Sequence, residues 1–303
     1  MASQKDIKGR ISSVKNIQKI TRAMEMVAAA RLRRAEQRIE ALRPYADALR
    51  RMTRRAAEAA ENIPRLPVLQ EREQIRTVGL MLVTSDRGLA GAFNSQILRA
   101  GLNRSRELHA EGKQVVWFAS GRRGVSSLTF RGQTPSGEYT GFTDRPAFAD
   151  ARDIGGDLTA AYVDEKVDRV EIFYNGYVSA MTQEVRHETL LPLQQADIMG
   201  EDEEHAEAES EGAMDQSRSL WIYEPEPEEI LARLVPDYVE ISIYRALLES
   251  TASEHGARMT AMRSASENAS DLISDLTLAA NRERQAEITQ EIMEVVAGAE
   301  GLR

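Results

Sequence analysis

Apolar residues near the start of the chain recur every three or four positions. Ile7, Ile11, Val14, Ile17, Ile20, Met24 and Val27 lead into Ala28-Ala29-Ala30, and Leu32, Ala35, Ile39, Leu42, Ala46 and Leu49 resume the series with a small phase slip. This spacing predicts one amphipathic helix, with Ser3 as N-cap and an end near Asn62-Ile63-Pro64. No glycine lies between Arg10 and Val78, and Pro44 should bend the helix locally. About sixty residues at about 1.5 Å each span about 90 Å, far more than a globular domain needs.

The other end of the chain mirrors the first. Leu248, Ala252, His255, Met259, Met262, Ser266, Ala269, Ile273, Leu276 and Ala280 follow alternating steps of four and three. A second register, Ile288, Ile292, Val295, Ala299 and Leu302, is offset by one position after the polar break Asn281-Arg282-Glu283-Arg284-Gln285. Two such helices can pair antiparallel if the middle of the chain folds into a compact body. Many stripe positions are Ala or Ser, so the helices should approach closely.

The middle changes period. Thr77 to Thr84 is a continuous apolar run, the pattern of a strand covered on both faces. The turn Ser85-Asp86-Arg87-Gly88-Leu89-Ala90-Gly91 and a helix over Asn94–Glu111 follow. Further strands are expected at Gln114–Ala119, Val167–Tyr174 and Thr182–Thr189, the last two joined by a turn at Asn175-Gly176. A helix is expected over Pro146–Lys166. The fold class expected is a small, mostly parallel, Rossmann-like α/β sheet body plus a long antiparallel coiled coil of the N- and C-terminal helices. The expected divisions are residues 1–62 (first helix), 75–196 (α/β domain), 197–219 (acidic loop) and 225–303 (last helix).

Charge is unevenly spread. The first sixty residues carry a net charge of +9, although the whole chain is at −9. Residues 197–215 hold nine Asp/Glu and no Lys/Arg, the pattern of a solvated loop. The basic helix calls for an acidic partner, either nucleic acid or an acidic protein surface. Tyr45 is the one aromatic residue on that helix, which disfavours base stacking and hence nucleic acid. The chain has no cysteine, so disulfides, thiolate metal sites and thiol catalysis are excluded. No apolar run is long enough for a membrane span. The basic amphipathic N-terminal pattern continues too far for a presequence, which favours a bacterial over an organellar source.

Little in the sequence suggests chemistry. The turn after the first strand contains Gly88-x-x-Gly91 but no third spaced glycine, and no phosphate-binding GxxxxGK[ST] occurs. A nucleotide-binding α/β enzyme with helical dimerisation arms is the alternative reading of that turn. His109, His187, His205 and His255 form no HxxxH or HExxH pair, and no GxSxG is present. No catalytic, cofactor or metal residues are expected.

Five stretches carry a resemblance: Ile20-Thr-Arg-Ala-Met-Glu-Met-Val-Ala-Ala29, Arg43-Pro-Tyr-Ala46, Ser85-Asp-Arg-Gly-Leu89, Tyr223-Glu-Pro225 and Arg284-Gln-Ala-Glu-Ile-Thr-Gln-Glu291. In order and in position along the chain they resemble the γ subunit of F-type ATP synthase. The resemblance implies a rotating central stalk without bond chemistry of its own. Its terminal helices would stand inside a ring of α and β subunits, and its body on the c-ring beside the ε subunit. It would be peripheral to the cytoplasmic face of the bacterial inner membrane and would couple proton flow to ATP synthesis. By resemblance Arg284 and Gln285 form a catch for a β loop, with Met24 close to it. Arg87, Leu89 and Ala90 touch the acidic lever loop of β, and Tyr223 and Glu224 contact the c-ring and ε. Arg33, Arg34 and their basic neighbours would face acidic β surfaces. The absence of cysteine excludes a thiol-regulated insertion. The acidic loop is longer than the family's common bacterial pattern, and a role in ε docking or in restraining hydrolysis would be lost on its deletion.

Overall fold

A computed structural model describes residues 4–59, 66–70, 72–193 and 226–300. The acidic loop and Tyr223 and Glu224 lie outside the described residues. Helix α1 spans Gln4–Ala59 without a break at Pro44, and helix α5 spans Pro227–Glu300. Between them come β1 (Thr77–Val83), α2 (Phe93–Ala110), β2 (Gln114–Ser120), α3 (Arg122–Phe130), β3 (Gly137–Tyr139), α4 (Phe148–Val163), β4 (Arg169–Tyr177) and β5 (Gln183–Leu191).

The sheet order is β3-β2-β1-β4-β5, with β5 antiparallel at one edge and the other pairings parallel. Side chains alternate across β1. Val78, Leu80 and Leu82 face α2 and α3 with Ile97, Leu108, Trp117 and Leu128. Met81 and Val83 face α4 and the start of α5, packing with Ile154, Leu158, Tyr162, Val235, Val239 and Ile243. The unbroken apolar run of β1 thus reflects helices on both faces.

Helix α5 serves two bodies. Its first turns belong to the sheet domain, while Leu234, Tyr238 and Ile241 also meet Leu42, Ala46 and Leu49 of α1. Further along, Ala252 and Met259 pack on Leu32, Ala35 and Ile39, and Arg263 bonds Glu25 at 2.9 Å. The pairing is antiparallel and in steady register, so Gln4 falls level with residues near Arg284. At 74 residues α5 is about 110 Å long. It therefore continues past the start of α1 as a single helix.

Two features depart from the expected pattern. The buried face of α1 runs through Thr21, Ala28, Leu32 and Ala35, while Ile17, Ile20 and Val27 are exposed. A two-helix pair covers only one face of each helix, so the broader apolar stripe cannot all be seam. Asn175-Gly176 is not the hairpin turn but the interior of β4, and the turn lies at 178–182. Asn175 Nδ2 instead donates to Phe93 O at 3.2 Å. The bare Cα of Gly176 leaves space for the Arg186 side chain, which a Cβ would meet at 2.3 Å.

Candidate functional site: the junction of spindle and body

The loops after β1 and β3 and the tip of the β4–β5 hairpin meet the helix pair. In a doubly wound sheet the C-terminal edge of the parallel strands is the crevice where nucleotides bind. Here α5 fills it. A Cβ on Gly91 would meet Ala261 at 3.9 Å, and Arg258 donates to Gly88 O at 3.3 Å. A Cβ on Gly256 would meet Ala180 O, in the tip of the β4–β5 hairpin, at 2.8 Å. Tyr177 in that hairpin donates to Glu36 of α1.

The turn 85–91 spends its own polar groups internally. Ser85 N donates to Asn94 Oδ1 at 2.9 Å, tying the start of the turn to the first turn of α2. Asp86 Oδ2 accepts from Gly141 N at 2.8 Å and from the Thr143 hydroxyl at 3.0 Å, and its Oδ1 accepts from Arg122 N at 3.1 Å. Gly121 is required below the turn: its φ is +89° and a Cβ would lie 2.3 Å from Thr84 O. A nearby cavity of about 10 Å³, lined by Thr84, Thr143, Ser250, Thr251 and Glu254 among others, has room for about one water at most. Nucleotide-sized sites need several hundred Å³.

Charged side chains are buried under this turn. Burial, with the charges of Asp144 and Asp86, outweighs Arg258 and pushes the Glu254 carboxyl up to about 7. Burial and then the Arg258 charge push His255 down to about 4, so it is neutral at pH 7. Glu254 and His255 are both buried, and Arg258 donates to Glu254 Oε1. Among the described residues no group of His, Asp and Glu is arranged to hold a metal ion, and no helix is long and apolar enough to cross a membrane.

The residues singled out from the sequence fall at three levels. Arg87 and Leu89 stand out from the turn, 64% and 65% exposed. Leu89 takes φ +62°, which aims its side chain away from the body. Ala90 in the same turn is buried, unlike its neighbour Leu89. Met24 is half-buried, next in sequence to Glu25, which bonds Arg263. Arg284 and Gln285 are exposed level with the start of α1, about 30 Å further along α5 at about 1.5 Å per residue. The structure therefore does not place Met24 beside Arg284. Beyond them Ile288, Ile292, Met293 and Val295 are exposed on the lone helix, and Ile17, Ile20, Met26, Val27, Leu272 and Leu278 are exposed on the paired part. Sequence reasoning missed the convergence of Arg31, Asp144 and Arg258 on the turn. Arg31 and Asp144 are 113 positions apart, so no local pattern announces their contact.

Known proteins resemble the whole chain. A family model described as ATP synthase matches residues 3–302. The ATP synthase gamma chain of Rubrobacter xylanophilus is 44% identical over all of this chain and 99% of its own length. That of Nostoc punctiforme is 41% identical over the full length of both. Among solved structures, the central stalk and c-ring of the Tetrahymena thermophila mitochondrial ATP synthase include a chain with TM-score 0.58 and 25% identity, aligned over 82% of this chain and 99% of that one. A chain of the Euglena gracilis mitochondrial enzyme has TM-score 0.67 at 18% identity over 99% and 94%, which shows the shared fold. The chain belongs to the ATP synthase gamma chain family.

Proposed function

We propose that this chain is the central rotor shaft of a proton-translocating ATP synthase and performs no bond chemistry itself. The observation that carries this reading is the bare apolar overhang of α5 at the far end of a spindle whose other end is welded into a folded body. Exposed Ile288, Ile292, Met293 and Val295 would cost solubility in a free protein. Inside a ring of α and β subunits they form a bearing, because apolar contacts lack directional bonds and permit sliding. The spindle is off-axis, so its rotation pushes on each catalytic β site in turn.

Charged groups set the finer contacts. Exposed Arg33 and Arg34 on α1 face acidic surfaces of β. Such exposed pairs are worth about 0–1 kcal/mol each, weak enough to break and reform as the shaft turns. Arg284 and Gln285 form a catch for a β loop, and Arg87 and Leu89 meet its lever loop. The sheet body rides on the c-ring beside ε, with Tyr223 and Glu224 in that foot. The chain is peripheral to the membrane, on the cytoplasmic face of a bacterial inner membrane, and held there through the complex.

The absence of cysteine makes a direct test simple. Ile292→Cys installs a unique thiol on the overhang. In the assembled complex, a thiol-directed photocrosslinker at this site should join the chain to α or β and stop ATP hydrolysis. Failure to form either adduct in active complex would overturn the reading.

A second test uses Met24→Lys. The added cation lies beside Arg263 on the spindle and within reach of acidic ring surface. ATP-driven proton pumping is expected to fall several-fold while subunit assembly is preserved. Normal pumping would remove Met24 from the coupling contacts.

A further inference from the structure

Loop 141–147, between β3 and α4, touches both spindle helices and the exposed turn at once. Asp144 is its centre. Arg31 Nη1 of α1 donates to Asp144 Oδ2 at 2.7 Å, and Arg87 Nη1 of the turn lies 3.2 Å from the same oxygen. The preceding residue fixes the loop on the other side. Thr251 of α5 donates to Thr143 O at 2.9 Å, and Asp86 N of the turn donates to the Thr143 hydroxyl at 2.9 Å. Burial opposes ionisation of Asp144, but the Arg31 hydrogen bond and charge, with the Arg87 charge, outweigh it and hold the carboxyl below its usual range.

An isolated surface ion pair contributes little. This one differs in geometry. A single carboxylate oxygen separates two guanidinium groups, one on the shaft and one on the turn. Without its charge the two cations face each other, and the contact changes from clamp to repulsion.

We propose that Asp144 is a positioning residue, the strut that clamps turn 85–91 onto α1 so that Arg87 and Leu89 move with the spindle as one body. Its value for coupling rests on the reading that this turn meets the catalytic ring. The clamp itself does not.

The test uses the assembled complex carrying Asp144→Asn, with hydrogen–deuterium exchange of the turn and proton pumping per ATP hydrolysed as separate readouts. Amides of residues 86–91 should exchange about tenfold faster, with β1 unchanged. Pumping per ATP should fall. Arg31→Gln keeps the Arg87–Asp144 pair and creates no repulsion, so it should speed exchange less than Asp144→Asn, and joining it to Asp144→Asn should make exchange slower than in Asp144→Asn alone. Asp144→Asn with Arg87→Gln removes the repulsion and should restore exchange towards the native rate. If Asp144→Asn fails to assemble, Arg31→Gln alone carries the exchange test.

Unchanged exchange in the assembled variants overturns the clamp. Additive effects of Arg31→Gln and Asp144→Asn also overturn it, because the two would then act separately. Faster exchange with normal pumping overturns the positioning role. The contact of the turn with the ring is judged independently by Leu89→Asp, which leaves the clamp in place.

Discussion

Replacing Glu171 by Gln is expected to destabilise the sheet domain by about 3–5 kcal/mol, the loss typical of breaking a buried charged pair from one side. Glu171 lies in β4 and is 1% exposed. Arg104 of α2 grips it with two bonds of 2.9 Å, and His187 of β5 approaches it at 2.8 Å. His187 also stacks on Phe173, with ring centroids 4.3 Å apart. One carboxylate thus fastens a helix and the edge strand to the middle of the sheet. Gln keeps the volume but turns an amide NH₂ towards donors that need an acceptor.

The effect carries a pH signature. Burial works to raise the Glu171 pKa, but its bonds to His187 and Arg104 win and bring it down to about 2. The folded-state value is below the unfolded one, so the carboxylate adds stability above the unfolded pKa, which is lost as pH falls from about 4.5 towards 2. Denaturant midpoints of wild-type and Glu171→Gln complexes should differ most near neutral pH and converge in acid. A loss under about 1 kcal/mol at pH 7 would show that the triad is not a structural fastener.

The second large effect is at Gly121. Alanine there meets two costs: a left-handed backbone and a Cβ at 2.3 Å from Thr84 O and 2.6 Å from Thr84 C. These atoms are backbone and cannot swing aside. Together the two costs amount to about 3–5 kcal/mol. The displaced atoms lead directly into turn 85–91, so loss of stability should be accompanied by loss of coupling. Gly124→Ala is the comparison. Its Cβ meets the Thr84 hydroxyl at 2.6 Å, a side-chain atom that can rotate, although Gly124 N then loses its 2.9 Å bond to that hydroxyl. Gly124→Ala should therefore be the milder of the two in thermal unfolding. The reverse order would refute this account of the turn.

Much of the architecture could be read before any coordinates. The three-and-four spacing from Met259 to Ala280 marks the seam of α5, and Met262, Ala269 and Ala280 are buried as the spacing requires. Glu171 is a lone charge inside the apolar run Val170–Tyr174, the sequence pattern of a buried charge with a distant partner. Asn175-Gly176 misled in the opposite direction. The pair has the chemistry of a tight turn, but bonds to α2 and the space needed by Arg186 outweighed that local preference.

Periodicity, the lack of glycine and cysteine and the segregation of charge are properties of neighbouring positions. By themselves they determined two long helices and a covered, mostly parallel sheet, whereas the class of machine rested on the resemblance of the five motif stretches. Which apolar face of α1 is seam and which is left exposed depended on how it docks against α5. That Ala90 is hidden while Leu89 stands out, and that Arg31, Asp144 and Arg87 meet, depended on contacts between segments about a hundred residues apart. Such contacts leave no periodic trace, because each is set by the docking of whole elements rather than by the spacing of side chains along one of them.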